Sequence, residues 1–139
     1  MSARAVVLYE SGRRMHTEGD LAGAIEEYRR ALAANPNHAR AQLGLAQCLY
    51  ESGRLELAQD AFEKAFRLDP EGARAGLVTV QRELGAALEN EGQLDQARTH
   101  YQRVLDMVPD DQGARVALRD CWRATAGAHL AAGRWEQAL

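Results

Sequence analysis

The sequence predicts an all-α chain, a solenoid of stacked antiparallel helix pairs. Three observations carry this. Gly19 and Gly53 stand 34 residues apart, and so do Pro36 and Pro70, which is the period of a helix–turn–helix repeat. On both sides of each glycine the apolar residues recur at helical spacing. Alanine and leucine dominate the apolar set and β-branched residues are sparse, which favours helix over sheet.

The first helix is expected over residues 4–18, with Leu8, Ser11, Gly12 and Met15 along one face, after a frayed Met1 and Ser2. Gly19 can enter a left-handed turn without a Cβ clash, and Asp20 can cap the next helix by accepting backbone N–H groups. That helix, over residues 21–34, carries the stripe Ala24, Ile25, Tyr28, Ala31 and Leu32. Asn35-Pro36 ends it, because a residue before proline avoids the helical region. The second unit repeats the plan with Ala41, Leu45, Cys48 and Leu49, the turn at Gly53, then Leu55, Ala58, Phe62, Ala65 and Phe66, closed by Asp69-Pro70. The third has Leu84, Gly85 and Leu88, the turn at Gly92, then Leu94, Ala97, Tyr101, Val104 and Leu105, closed by Pro109. The fourth runs from Trp122 past Leu130 to a turn at Gly133 and stops at Leu139, its second helix barely begun.

These residues resemble the tetratricopeptide repeat (TPR) family. That family's unit has Trp, Leu-Gly and Tyr on the first helix and Gly at the turn, then Ala, an aromatic, Ala and Pro on the second. The first copy here is Leu8, Gly12, Met15, Gly19, Ala24, Tyr28, Ala31 and Pro36, and the second is Leu45, Ala46, Leu49, Gly53, Ala58, Phe62, Ala65 and Pro70. The third is Leu84, Gly85, Leu88, Gly92, Ala97, Tyr101, Val104 and Pro109, and the last Trp122, Ala126, His129, Gly133 and Ala138. The resemblance implies a right-handed superhelical array of about three and a half units, at residues 5–38, 39–72, 73–111 and 112–139, forming one domain over 1–139. Gly or Ala at the close positions lets helix backbones approach, and the aromatic fills the space beside them.

Two departures from the period stand out. The turn glycines are spaced 34, 39 and 41 apart, so the third and fourth units carry surplus residues. We read these as lengthened first helices, about 71–91 and 111–132, each roughly 30 Å long at 1.5 Å per residue. The competing reading is a loop near Gly72–Gly76 and near Gln112–Gly113. The second departure is the unfinished fourth unit, expected of the N-terminal piece of a longer protein or of an end that a partner covers.

The chemistry of catalysis does not assemble. No nucleophile, base and orienting group come together, no glycine-rich phosphate loop is present, and the four histidines do not pair at helical spacing. Neither catalysis, nor a cofactor, nor a metal is expected. His129 reads as a core or edge residue, and Cys48 and Cys121 as small buried ones. Carboxylates such as Glu26-Glu27 and Asp110-Asp111 read as solvated faces or caps. Net charge is -3 with no run of one sign, which argues against nucleic acid, and no segment has the length of a membrane span. A cytoplasmic location is expected.

In the family the first helices line a concave groove that holds a peptide or a partner helix. The resemblance places Tyr9, Arg13, Arg40, Gln47, Tyr50, Arg82, Glu89 and Arg123 there, beside Val6, His16, Leu43, Glu51, Thr79, Ala86, Asn90 and Leu130. Each unit thus offers an arginine, suited to bidentate capture of carboxylates, and the tyrosines add rigid contact area. A protein or peptide with acidic and apolar residues is the expected partner. The bland alternative is that the arginines are solubilising and pair with Glu51, Glu89 or Asp120. The family's chaperone-binding clamp needs Lys, Asn, Asn, Lys and Arg where this chain has Tyr9, Arg13, Gly44, Thr79 and Glu83, so that clamp is not expected. Two other readings remain: self-association through apolar Trp122, Leu130 and Trp135 near the C-terminal end, and a docking or regulatory part of a longer enzyme.

Overall fold

The computed structural model describes residues 2–133. They form seven helices and no strand: α1 (Ala3–Thr17), α2 (Leu21–Ala34), α3 (Ala39–Glu51), α4 (Leu55–Leu68), α5 (Pro70–Asn90), α6 (Leu94–Met107) and α7 (Gln112–Ala131). The all-α expectation holds. The second helix expected in the fourth unit, with Trp135 and Ala138, lies outside the described residues.

The turns explain the element order. Gly19, Gly53, Gly92 and Gly133 have φ of 85°, 80°, 78° and 73°, a region that a Cβ disfavours. Asp20 caps α2, its side chain accepting from Gly23 N at 3.0 Å. Side chains also start α1 and α3, the first against expectation. Ser2 is not frayed: its Oγ accepts from Ala5 N at 3.2 Å and starts α1. His38 starts α3, its Nδ1 accepting from Ala41 N at 3.1 Å.

The surplus residues lengthen helices rather than form loops. α5 has 21 residues and α7 has 20, against 13 in α3. Pro70 does not merely close α4. It is the first residue of α5, where its missing N–H costs nothing and its fixed φ suits the helix. Asp69 serves both helices. Its N–H donates to Ala65 O at 2.8 Å to end α4, and its Oδ1 accepts from Gly72 N at 3.2 Å to start α5.

The chain divides into two compact units, residues 1–80 and 81–139, and α5 runs from one into the other. In the first unit α1 packs on α2, α3 on α4, and α3 also on α2 and α1. Its core is built by aromatic wedges. The Tyr28 ring fills the space left by two glycines: a Cβ added at Gly12 would lie 2.9 Å from Cδ1, and one at Gly44 2.6 Å from Cζ. Phe62 fills the same role against Gly76. In the second unit α6 packs on α7, and Tyr101 lies against Gly85 and beside buried Ala97 and Cys121.

Candidate partner-binding face

In the first unit, α3 turns Leu43, Gln47 and Tyr50 to one side at i, i+4 and i+7, so they stand in a row. The head of α5 turns Gly72, Ala75, Gly76 and Thr79 to one side at i, i+3, i+4 and i+7. The two rows border an open cleft of about 270 Å³ with Phe62 as a further wall. A smaller hollow adjoins it, sharing Leu43 and lined also by Arg40, Asp69 and Ala73.

The residues expected at the groove are placed as follows. Gln47 and Tyr50 line the cleft, together with Leu43 and Thr79. Arg40 is exposed beside it and has no ion-pair partner among the described residues. Tyr9 is half-buried, its ring 4.9 Å from the His38 imidazole and 6.0 Å from the Tyr28 ring. Arg13 is exposed and 3.8 Å from Glu10. His16 holds Glu51, with Nε2 at 3.1 Å from both carboxylate oxygens.

The second unit holds the rest. Arg82 is 3.2 Å from Asp111, whose other oxygen accepts from Ala114 N at 2.9 Å and caps α7. Glu89 accepts a hydrogen bond from the Tyr101 hydroxyl at 2.8 Å and so serves the core. Arg123 is exposed on α7. Arg13 and Arg82 therefore pair with other acids than the expected Glu51, Glu89 and Asp120, and Arg40 and Arg123 with none among the described residues. Glu51 is taken by His16, Glu89 by Tyr101, and Asp120 lies 3.5 Å from Arg119.

Sequence reading missed two buried glutamines. Gln42 is 6% exposed and donates to Ala61 O at 3.2 Å. Gln81 is 1% exposed, with Oε1 2.6 Å from His100 Nδ1. Both stand eleven residues before a turn glycine, the place of Leu8 in the first unit and Trp122 in the fourth. That recurrence was the available signal, hidden because a glutamine breaks the apolar stripe. Trp122 itself is 54% exposed and does not line a core. The Arg98 guanidinium lies 4.1 Å from its ring centroid and donates to Thr125 Oγ1 at 2.7 Å.

The thiols have no catalytic setting. Burial, then nearby Glu51, pushes the Cys48 thiol up to about 11, so it stays protonated at neutral pH. Burial likewise raises the Cys121 thiol, and raises the Tyr28 phenol to about 12 with help from Cys48 and Tyr9. Among the described residues no group of three or more His, Cys, Asp or Glu side chains is placed to hold a metal, and no helix is long and apolar enough to cross a membrane.

Paired helices, left-handed glycine turns and aromatic wedges in glycine notches define a helical repeat protein. The chain belongs to the tetratricopeptide repeat family, whose pattern matches residues 15–80 and again residues 78–118. It is 30% identical over 107 residues to the Protein CTR9 homolog of Arabidopsis thaliana, a match covering 77% of this chain and 9% of that protein. Among solved structures it resembles the first TPR domain of Spaghetti (RPAP3) bound to the HSP90 peptide SRMEEVD. The TM-score is 0.55 at 25% identity, covering 91% of this chain and 96% of the other. MamA is similar in fold, with a TM-score of 0.57 at 18% identity, covering 96% of this chain and 75% of the other.

Proposed function

We propose that this chain is a protein-interaction scaffold whose first unit takes an extended peptide across the face of α1 and α3, at Tyr9, Arg13, Arg40, Gln47 and Tyr50. The observation that carries the reading is the open cleft beside Arg40. It joins apolar walls to hydrogen-bonding groups from Gln47 and Thr79, the mix that peptide sites use. The peptide-bound RPAP3 domain, similar over nearly its whole length, supports the same kind of ligand. The clamp for a C-terminal carboxylate is a poor fit. Gly44 is buried under Tyr28 and offers no side chain, and Glu83 has the wrong charge. The ligand is therefore an internal segment rather than a chain end.

The test is a selection of octapeptides from a random display library on the whole chain, followed by backbone amide NMR with the enriched peptides. Shifts concentrated in α1 and α3 support the proposal. Shifts confined to α2 and α4, or no enriched peptide, reject it.

A second reading, self-association, is favoured by one observation on α7. Val116 and Leu130 lie two heptads apart on one face, Trp122 lies between them in sequence, and all three are exposed. Sedimentation equilibrium decides: a dimer that Leu130→Asp converts to monomer supports it, and a monomer at high concentration sinks it.

A further inference from the structure

We infer that the cleft between α3 and α5 is an anchor pocket for one leucine- or methionine-sized side chain of a bound peptide, with an acidic side chain of the same peptide reaching Arg40. The inference rests on the peptide reading above and specifies its chemistry.

The pocket exists because this unit breaks the repeat. Its turn glycine comes 39 residues after the previous one instead of 34, and the surplus enters at the head of α5. α3 starts three residues after Pro36, whereas α5 starts at Pro70 itself. The added turns bring Gly72, Ala75 and Gly76 to the side facing α3, and none of these carries a side chain past Cβ. The opposite wall is long and amphipathic: Leu43, Gln47 and Tyr50. Ala75 is exposed and short, so it leaves room on its side of the cleft, while the Cβ sites of Gly72 and Gly76 are taken by the Asp69 carboxylate and the Phe62 ring.

Size selects the occupant. Free drug-sized ligands occupy pockets of about 300–1,000 Å³. At about 270 Å³ the open cleft lies just under that range and has room for a medium-sized apolar side chain. Charge selects the neighbour. On this face Glu10 is beside Arg13, Glu51 is held by His16, and Asp69, which shares the hollow with Arg40, caps Gly72 N. Arg40, exposed beside the cleft, has no ion pair among the described residues. It stands three residues before Leu43 and seven before Gln47. At 1.5 Å per helical residue that is roughly 5–10 Å, or about one to three residues of an extended peptide at 3.3 Å each.

The test uses octapeptides selected on the whole chain, synthesised and titrated by fluorescence polarisation against Ala75→Leu, Arg40→Glu and Arg13→Glu. Ala75 is exposed, so the leucine fills the cleft without entering the core, and circular dichroism checks that the variant is folded. The expected consensus is one medium apolar residue with Asp or Glu one to three positions away. Ala75→Leu weakens these peptides at least tenfold, and reselection on Arg40→Glu replaces the acid by Lys or Arg. Peptides weakened by Arg13→Glu but unchanged by Ala75→Leu overturn the anchor pocket and leave the groove reading standing. Peptides that no variant affects, or a selection that enriches nothing, overturn both.

Discussion

Tyr28 is held by the absence of side chains around it. Gly12 and Gly44 leave the ring its space from two helices, and it is 2% exposed. An alanine at Gly44 meets two opposed effects. Helix propensity gains about 1 kcal/mol, but overpacking a locked ring costs about 1–3 kcal/mol. Strain wins here because the ring is confined on both sides. Gly44→Ala is expected to lower stability by roughly 1–2 kcal/mol, and Gly44→Ala with Tyr28→Leu to recover much of it. Gly127 in α7 has nothing within 4 Å of an added Cβ. Gly127→Ala is therefore expected to raise stability by about 0.5–1 kcal/mol. Urea unfolding of the variants checks both signs. Cys48 adds a pH dependence. Its folded thiol titrates at about 11 against 9.0 for an ordinary one, so the unfolded chain ionises first. Its contribution is intact below pH 9 and is lost as pH rises from 9 through 11. Tyr28 follows the same sign from 10 to about 12. Between pH 8 and 10.5 the protein is expected to lose about 1–2 kcal/mol more than a Cys48→Ala variant does. Equal losses in urea titrations would show that the thiol ionises no later folded than unfolded.

At the scale of the helix, the fold was legible where one local rule decides the outcome. A turn glycine needs only its own φ, and a proline acts on its neighbours, so all four turns and the lengthening of α5 and α7 could be placed to within a residue or two. The candidate site was less legible, because a site depends on which rows face each other. The helical spacing of Leu43, Gln47 and Tyr50 was visible, but that Gly72, Ala75 and Gly76 oppose them across a cleft was not. Nor could spacing show that Glu89 belongs to Tyr101, or Arg82 to Asp111, which is 29 residues away. The junction of α4 and α5 gives the prediction for this scale. Asp69 is the link between them, and Asp69→Ala removes the side-chain acceptor for Gly72 N while leaving the backbone bond to Ala65 O. Such a cap is worth about 1 kcal/mol. Hydrogen exchange of the Gly72 and Ala73 amides is expected to speed up by about fivefold, with the α4 interior unchanged. Equal protection in both proteins would show that Pro70 starts the helix without help.

For the whole molecule the question is whether the two compact units unfold together. Repeat chains have mostly neighbour-to-neighbour contacts, so their melting is cooperative only as far as stability passes along the chain. Here α5 belongs to both units, crossing from residues 70–80 into 81–90. A helix continuous across the boundary is the element through which stability can pass from one unit to the other. Glu83 lies inside this helix and is exposed. A proline there lacks the N–H that would bond to the Thr79 carbonyl and crowds that turn, a cost of about 3 kcal/mol. Glu83→Ala removes the same side chain and keeps the helix. Hydrogen exchange with mass spectrometry across a urea series can follow residues 2–80 and 81–133 separately. The wild type and Glu83→Ala are expected to open both sets at one midpoint. Glu83→Pro is expected to open residues 81–133 at a urea concentration clearly below that for residues 2–80, because the second unit keeps only α6, α7 and half a helix. A Glu83→Pro protein in which both sets still open together, at a lowered common midpoint, would show that continuity of α5 is not what couples them.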